Sequence, residues 1–167
     1  MPTSTRVAIY TGSFDPITLG HVNVVERGSR LFERVIVGIG VNTEKQPLFS
    51  PSERLDLVRR TTQHLGNVEA HTFSGLAVSF VRQCGAHVIL RAVRSLGDIE
   101  AEFTMTLANR KLDPGIETVF LMADDEFSHV SSSLIKQIAS LASDEELARF
   151  VPKEIVADIR GKLMGNS

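Results

Sequence analysis

Short apolar, β-branched runs recur along the chain at intervals of roughly 25 to 30 residues, with helical periodicity between them, which is the pattern of βαβ units in a parallel sheet. The runs Arg6–Tyr10, Val35–Val41, Val68–Phe73, His87–Leu90 and Thr118–Met122 predict five parallel strands. Thr18–Phe32, with Val22, Val25, Leu31 and Phe32 as apolar positions, predicts the first helix. Ser50-Pro51-Ser52-Glu53 opens a second with a cap, a first-turn proline and a capping-box acid, and that helix should end near Leu65-Gly66. Leu76–Cys84, closed by Gly85, and Ile99–Leu112, closed by Asp113-Pro114-Gly115, predict a third and a fourth. Ser131 to Ser133 begin a fifth, with Leu134, Ile135, Ile138 and Leu141 on one face, and Pro152 starts a last, more polar one. The fold class expected is α/β: a Rossmann-like, doubly wound five-stranded parallel sheet, one domain over residues 1–167 with C-terminal helices.

Composition narrows the chemistry. Eighteen Lys and Arg against 20 Asp and Glu leave a net charge of −2, so no domain-wide basic field is available to hold long DNA or RNA. The longest stretch without charge, Ala70–Val81, is well short of the ~20 residues of a membrane helix. Cys84 is the one cysteine, and His21, His64, His71, His87 and His129 show no zinc spacing, so neither a disulfide scaffold nor a zinc module is expected. Met1 to Arg6 lack a signal-peptide pattern, and a cytoplasmic location is the expectation.

In a sheet of this kind ligands bind at the carboxyl ends of the strands, near the switch point. The loop after the first strand runs from Thr11 to His21. There Gly12 is suited to a positive φ, Thr18 to an N-cap, and Gly20 and His21 to the second and third helical positions, which together make an anion site. Lys45 lies in the loop after the second strand. Arg91 and Arg94 are placed just after the fourth, where guanidinium forks suit phosphate. Phe127–Ser133 follows the fifth and leads into a helix start. Each element also has a structural explanation: a capped helix with a solvated histidine, a solvated lysine, ion pairs from the arginines to Asp98, Glu100 or Glu102, and an ordinary serine cap. Their recurrence at four strand ends favours phosphate. No G-x-x-x-x-G-K-[ST] or G-x-S-x-G occurs, and Gly38-Ile39-Gly40 reads as strand packing rather than a dinucleotide fingerprint.

Gly12 to His21 resembles the T-x-G-H signature shared by nucleotidyltransferases and class I tRNA synthetases. Together with Arg91-x-x-Arg94, Asp98-x-Glu100-x-Glu102 and Val130 to Ser133, it resembles the bacterial phosphopantetheine adenylyltransferase family over essentially the whole chain. The resemblance implies transfer of the adenylyl group of ATP to 4′-phosphopantetheine, giving dephospho-coenzyme A and pyrophosphate. It implies His21, Ser13, Lys45 and Arg94 as catalytic residues. ATP would be bound by Ser13, Phe14, His21, Ala92, Val93, Arg94, Glu102, Phe127, Ser128, His129, Val130, Ser131, Ser132 and Ser133. The acceptor would be bound by Ser13, Lys45, Ala77, Arg91, Met105 and Asn109. Mg2+ carried on the ATP phosphates is implied, with no protein carboxylate cage, and so is a homohexamer. Ala92 and Val93 stand where the family usually has Gly-Leu, Gln137 where a glutamate is common, and Ala77 where a larger apolar residue can occur. A nicotinamide mononucleotide or glycerol phosphate acceptor, or a catalytically silent nucleotide-binding module, are the alternatives.

Overall fold

The computed structural model describes residues 6–42 and 46–165. Five strands, β1 (Val7–Gly12), β2 (Arg34–Gly40), β3 (Val68–Phe73), β4 (Val88–Val93) and β5 (Glu117–Met122), form one parallel sheet in the order β3-β2-β1-β4-β5. The chain winds outward first from β1 through β2 to β3, then returns to β4 on the other side of β1. The switch point therefore lies between β1 and β4, as the doubly wound expectation requires.

Alternation along the central strands sorts two cores. Ala8, Tyr10, Val37, Ile39 and Leu90 face the helices α1 (Leu19–Leu31), α2 (Pro51–Thr62), α5 (Ser132–Ile138) and α7 (Val156–Gly165). Val7, Ile9, Ile36 and Ile89 face the opposite side, against Val78, Phe80 and Val81 of α3 (Ala77–Gln83). Gly38 belongs to this packing: a Cβ there would stand 2.6 Å from the Phe80 ring, so the Gly-x-Gly fragment is strand packing, as read from the sequence.

The capping signals hold where they were clear. Ser50 and Glu53 form the expected capping box around Pro51, and Gly85 takes a φ of 66° after α3. Several boundaries differ. β4 continues through Arg91, Ala92 and Val93, which were expected beyond its end. The pairing of these residues with Phe120, Leu121 and Met122 of β5 extends the ladder past the apolar run that defined the strand. α2 ends at Thr62 rather than Leu65, and α4 (Leu96–Leu112) starts three residues early because Ser95 caps it by accepting the Asp98 N–H. Leu141 is not on the buried face of the fifth helix. α5 ends at Ile138, where Arg160 of α7 donates to the Ala139 and Ala142 carbonyls, and Leu141 is 86 % exposed. A short helix, α6 (Asp144–Leu147), follows where none was expected, built on a Ser143–Glu146 capping box. Among the described residues no helix is long and apolar enough to cross a membrane.

Candidate active site

A cleft of about 280 Å3 opens at the carboxyl ends of β1 and β4, at the switch point. Thr11 and Gly12, which extend β1 beyond its expected end, and Ser13 and Phe14 of the loop after it line the cleft, together with Gly20 and His21 of α1, Arg91, Ala92 and Arg94, Asp98 and Glu102 of α4, and Phe127 and Val130 to Ser133. Elements far apart in sequence meet here because each ends or follows β1, β4 or β5, whose carboxyl ends lie side by side on one edge of the sheet.

The first loop is tightly held. Phe14 adopts a φ of 48°, a left-handed backbone that a bulky L-residue rarely takes. Gly12, expected to supply that freedom, does not have a positive φ. It is glycine because a Cβ would stand 3.1 Å from the Phe14 ring folded over it. Asp15, 3 % exposed, accepts the backbone N–H groups of Leu48 (2.9 Å) and Phe49 (2.8 Å) and pairs with Lys136 of α5 (2.7 Å). The serine side chain between these anchors, Ser13, is exposed in the cleft.

His21 is the third residue of α1, as expected, and its ring completes the cap. The Thr18 N–H donates to His21 Nδ1 at 3.0 Å, while the His21 N–H donates to Thr18 Oγ1 at 3.3 Å. An Nδ1 that accepts an N–H carries no proton, so the ring proton sits on Nε2. Desolvation, and then the positive charges of Arg94 and Arg91, push the imidazole down to about 4. The group lining the cleft is therefore a neutral imidazole with a single N–H donor.

The arginines are already engaged. Arg91 directs Nε and Nη2 at both oxygens of Glu102, with distances of 2.6–3.0 Å, and Nη1 at the Thr11 carbonyl. Its carboxylate-matched fork, expected for a phosphate, thus faces Glu102, and Glu102 is an ion-pair partner rather than an open cleft carboxylate. Burial opposes the charge on Arg91, but the pairing with Glu102 outweighs it and holds the guanidinium above its ordinary range. Arg94 bonds the Asp98 carboxylate through its N–H (2.9 Å) and Nε (3.2 Å), and the Val130 carbonyl through Nη1 (3.0 Å). It thereby ties the end of β4 to the loop before α5.

At α5, Ser131 Oγ accepts the Leu134 N–H and Ser132 Oγ donates to the Pro16 carbonyl, whereas Ser133 is exposed in the cleft. Ser128 and His129 do not line the cleft. His129 lies edge-on to the Phe150 ring instead. Val93 is buried in the sheet, and Ala77, Met105 and Asn109 also stand outside the cleft lining. Met105 and Asn109 follow Glu102 at three and seven residues along α4, which puts them on one stripe leading away from it. Lys45 lies outside the described residues.

Four participants carry no sequence signal of their own. Tyr10 lines the cleft from within β1, its phenol pushed up to about 12 by burial. Asp15 and Lys136 meet only through the fold. Arg54, buried at 3 % exposure in α2, reaches the Ser13 carbonyl at 2.7 Å.

Residues 9–138 match the cytidylyltransferase-like family model. The chain is 56% identical over 165 residues to the phosphopantetheine adenylyltransferase of Rhodopirellula baltica, covering 98% of this chain and 92% of that protein. It is 50% identical over 153 residues to that of a Nostoc species, covering 92% and 79% respectively. Among solved structures, the fold is similar to nicotinic acid mononucleotide adenylyltransferase from Plasmodium falciparum, with a TM-score of 0.61, 13% identity and coverage of 94% of this chain and 95% of that one.

Proposed function

The chain belongs to the cytidylyltransferase-like family and, within it, to the phosphopantetheine adenylyltransferases, and on that premise we propose how its cleft transfers the adenylyl group of ATP to 4′-phosphopantetheine. The observation that carries the reading is the convergence of His21, Ser13, Arg91, Arg94 and the first turn of α5 on one cleft at the switch point. An oxygen of the acceptor phosphate attacks the α-phosphorus of ATP. The bond from that phosphorus to the bridging oxygen breaks, pyrophosphate leaves, and a new phosphoanhydride joins the two halves of dephospho-coenzyme A. The attacking phosphate is already ionised, so no base is needed, and acceleration comes from placement and charge stabilisation.

His21 Nε2–H donates to an α-phosphate oxygen whose charge rises in the transition state. A neutral donor suits this task, because it carries no proton that the phosphate could remove at physiological pH. Ser13 adds a hydroxyl from the loop that leads into the same helix. Arg94, with Ser133 and the N–H groups at the start of α5, holds the departing pyrophosphate. Arg91, oriented by Glu102 and Thr11, contributes its remaining donor to the acceptor phosphate. Lys45 is assigned to the same phosphate from the resemblance. The acceptor arm then runs along the stripe of Glu102, Met105 and Asn109, with Ala77 assigned to it from the resemblance.

Mg2+ travels with the ATP phosphates as part of the substrate. The cleft carboxylates do not fit a metal cage, since Asp98 is engaged by Arg94 and Glu102 by Arg91. We assign the enzyme to the cytoplasm, where ATP is supplied, and to a homohexamer built on the exposed face of α4. The test is pyrophosphate release from ATP. It should require 4′-phosphopantetheine and should fail with nicotinamide mononucleotide or glycerol phosphate in its place. Release with either of those, or with no acceptor, would overturn the assignment.

A further inference from the structure

Arg54 is a buried cation for which no carboxylate lies within ion-pairing distance among the described residues. Its Nη1 donates to the Ser13 carbonyl at 2.7 Å and the Gly40 carbonyl at 3.1 Å, and its buried Nε meets no acceptor among them. Guanidinium burial is costly unless charge or hydrogen bonds compensate it, and two carbonyls compensate it only in part. A core residue in this position of α2 could be apolar, as Leu57 and Val58 on the same helix are. The polar choice calls for a function.

That function follows from what Arg54 holds. The two carbonyls belong to the loop after β1 and to the last residue of β2, so one side chain fastens both strand ends from beneath. The Ser13 carbonyl points at Arg54, and in a planar trans peptide the Phe14 N–H then points the opposite way. No acceptor among the described residues takes up that N–H. The same Phe14 carries the left-handed φ of 48°, so this peptide is held in an orientation that the local sequence does not favour. Ser13 and Phe14 both line the cleft.

We propose that Arg54 is a positioning residue for the transfer reaction: by fixing the Ser13 carbonyl it turns the Phe14 N–H into the cleft as a phosphate donor, and it holds a positive charge one peptide away from the reacting phosphate. The proposal rests on the functional reading above. It predicts that the helix contributes to chemistry through a residue that never touches substrate.

Arg54→Met, which keeps the length of the side chain and loses its donors, tests this, with Leu57→Ala as the comparison for lost core packing on the same helix. R54M should lose tenfold or more in kcat and should abolish the shift of the Phe14 amide resonance on adding ATP to 15N-labelled protein. L57A should be destabilised yet keep kcat within twofold and keep the Phe14 response. A smaller kcat loss in R54M, an unchanged Phe14 response, or an equal kcat loss in L57A would each overturn the proposal. If R54M does not fold, Arg54→Lys carries the test, because one ammonium on a flexible stem cannot serve both carbonyls with fork geometry. A tenfold loss is again required, and parent-like kcat would overturn it. Should the parent release no pyrophosphate with 4′-phosphopantetheine, the functional reading fails, and the ATP titration of Phe14 alone decides the role of Arg54.

Discussion

Thr18 and His21 cap each other: the Thr18 hydroxyl accepts the His21 backbone N–H, and the imidazole Nδ1 accepts the Thr18 backbone N–H at 3.0 Å. This is the capping box of an ordinary helix start with the usual acidic or amide partner replaced by histidine. The replacement accomplishes two things. It satisfies the helix end, and it fixes the tautomer so that the one ring proton is on Nε2. The helix cap and the transition-state donor are a single side chain.

His21→Ala should therefore lose both roles. The cap is worth about 0.5–2 kcal/mol of stability, and loss of the donor should lower turnover on the order of 10²–10³-fold. Gln and Glu separate the roles, since either can complete the capping box but only Gln retains an N–H. His21→Gln and His21→Glu are expected to keep the melting temperature of the parent. Turnover should return in part with Gln and not with Glu. Parent-like turnover in His21→Ala would remove the residue from the mechanism.

The imidazole sets a pH dependence whose sign is fixed by its lowered value. A free histidine titrates near ~6.5, while folded His21 is held at about 4, so on acidification the unfolded chain binds the proton first. Its contribution to stability is complete above ~6.5 and is lost as pH falls towards 4, with a slope approaching ~1.4 kcal/mol per pH unit. The melting temperature of the parent should fall relative to His21→Gln across that window. The C2–H resonance of His21 in the free enzyme should titrate well below 6, and an inflection near 6.5 would contradict the neutral-donor assignment.

Much of this was legible because the informative residues are local. Thr18, Gly20 and His21 announce a helix start over a strand end, and Ser50 to Glu53 a capping box, through spacing alone. The sheet followed from its apolar runs. What escaped depends on pairs distant in sequence. Asp15 and Lys136 are 121 residues apart, so their pairing has no spacing signature, whereas Glu102 stood among the ion-pair partners expected for the arginines and the structure pairs it with Arg91. Arg54 escaped because a polar residue within an amphipathic helix is expected to face solvent, and only the fold shows its burial. The end of β4 was misplaced because Arg91 breaks the apolar run, although its backbone stays in the ladder.

Asp15 should be a stability residue out of proportion to its place in a loop. Asp15→Ala would leave the N–H groups of Leu48 and Phe49 and the Lys136 ammonium without their acceptor. Losing the acceptor of these N–H groups costs about 1–3 kcal/mol, a fall in Tm of roughly 2–12 °C for a chain of this length. Lys136→Met should cost less than half as much, since the lysine is largely exposed and Asp15 keeps both N–H groups. Differential scanning calorimetry of the two variants would check the ranking.

The face of α4 bears on assembly. Leu96, Ile99, Phe103 and Leu107 form a stripe at helical spacing, they are 44–83% exposed, and no residue of α4 is buried. Phe120 and Met122 of the edge strand β5 are exposed as well. An apolar helix stripe beside an open sheet edge calls for cover. Phe103→Glu should dissociate the proposed hexamer, read by sedimentation velocity at micromolar concentration. A parent sedimenting as a stable monomer would overturn the hexamer.

The last expectation concerns Arg91 and Glu102. If Glu102 serves to aim Arg91, removing either member should impair the acceptor rather than ATP. Arg91→Ala should raise KM for 4′-phosphopantetheine tenfold or more, in line with ~1.5–3 kcal/mol for a charged hydrogen bond. Glu102→Ala should act in the same direction through the loosened guanidinium. The double variant should be little worse than Arg91→Ala, because both single changes remove one unit, and the coupling should reach at least about 1 kcal/mol. Additive effects would mean that the two side chains act separately. A lowered KM in Glu102→Ala would mean instead that Glu102 competes with the acceptor phosphate for the arginine fork. In that case the pair is a gate that substrate must open.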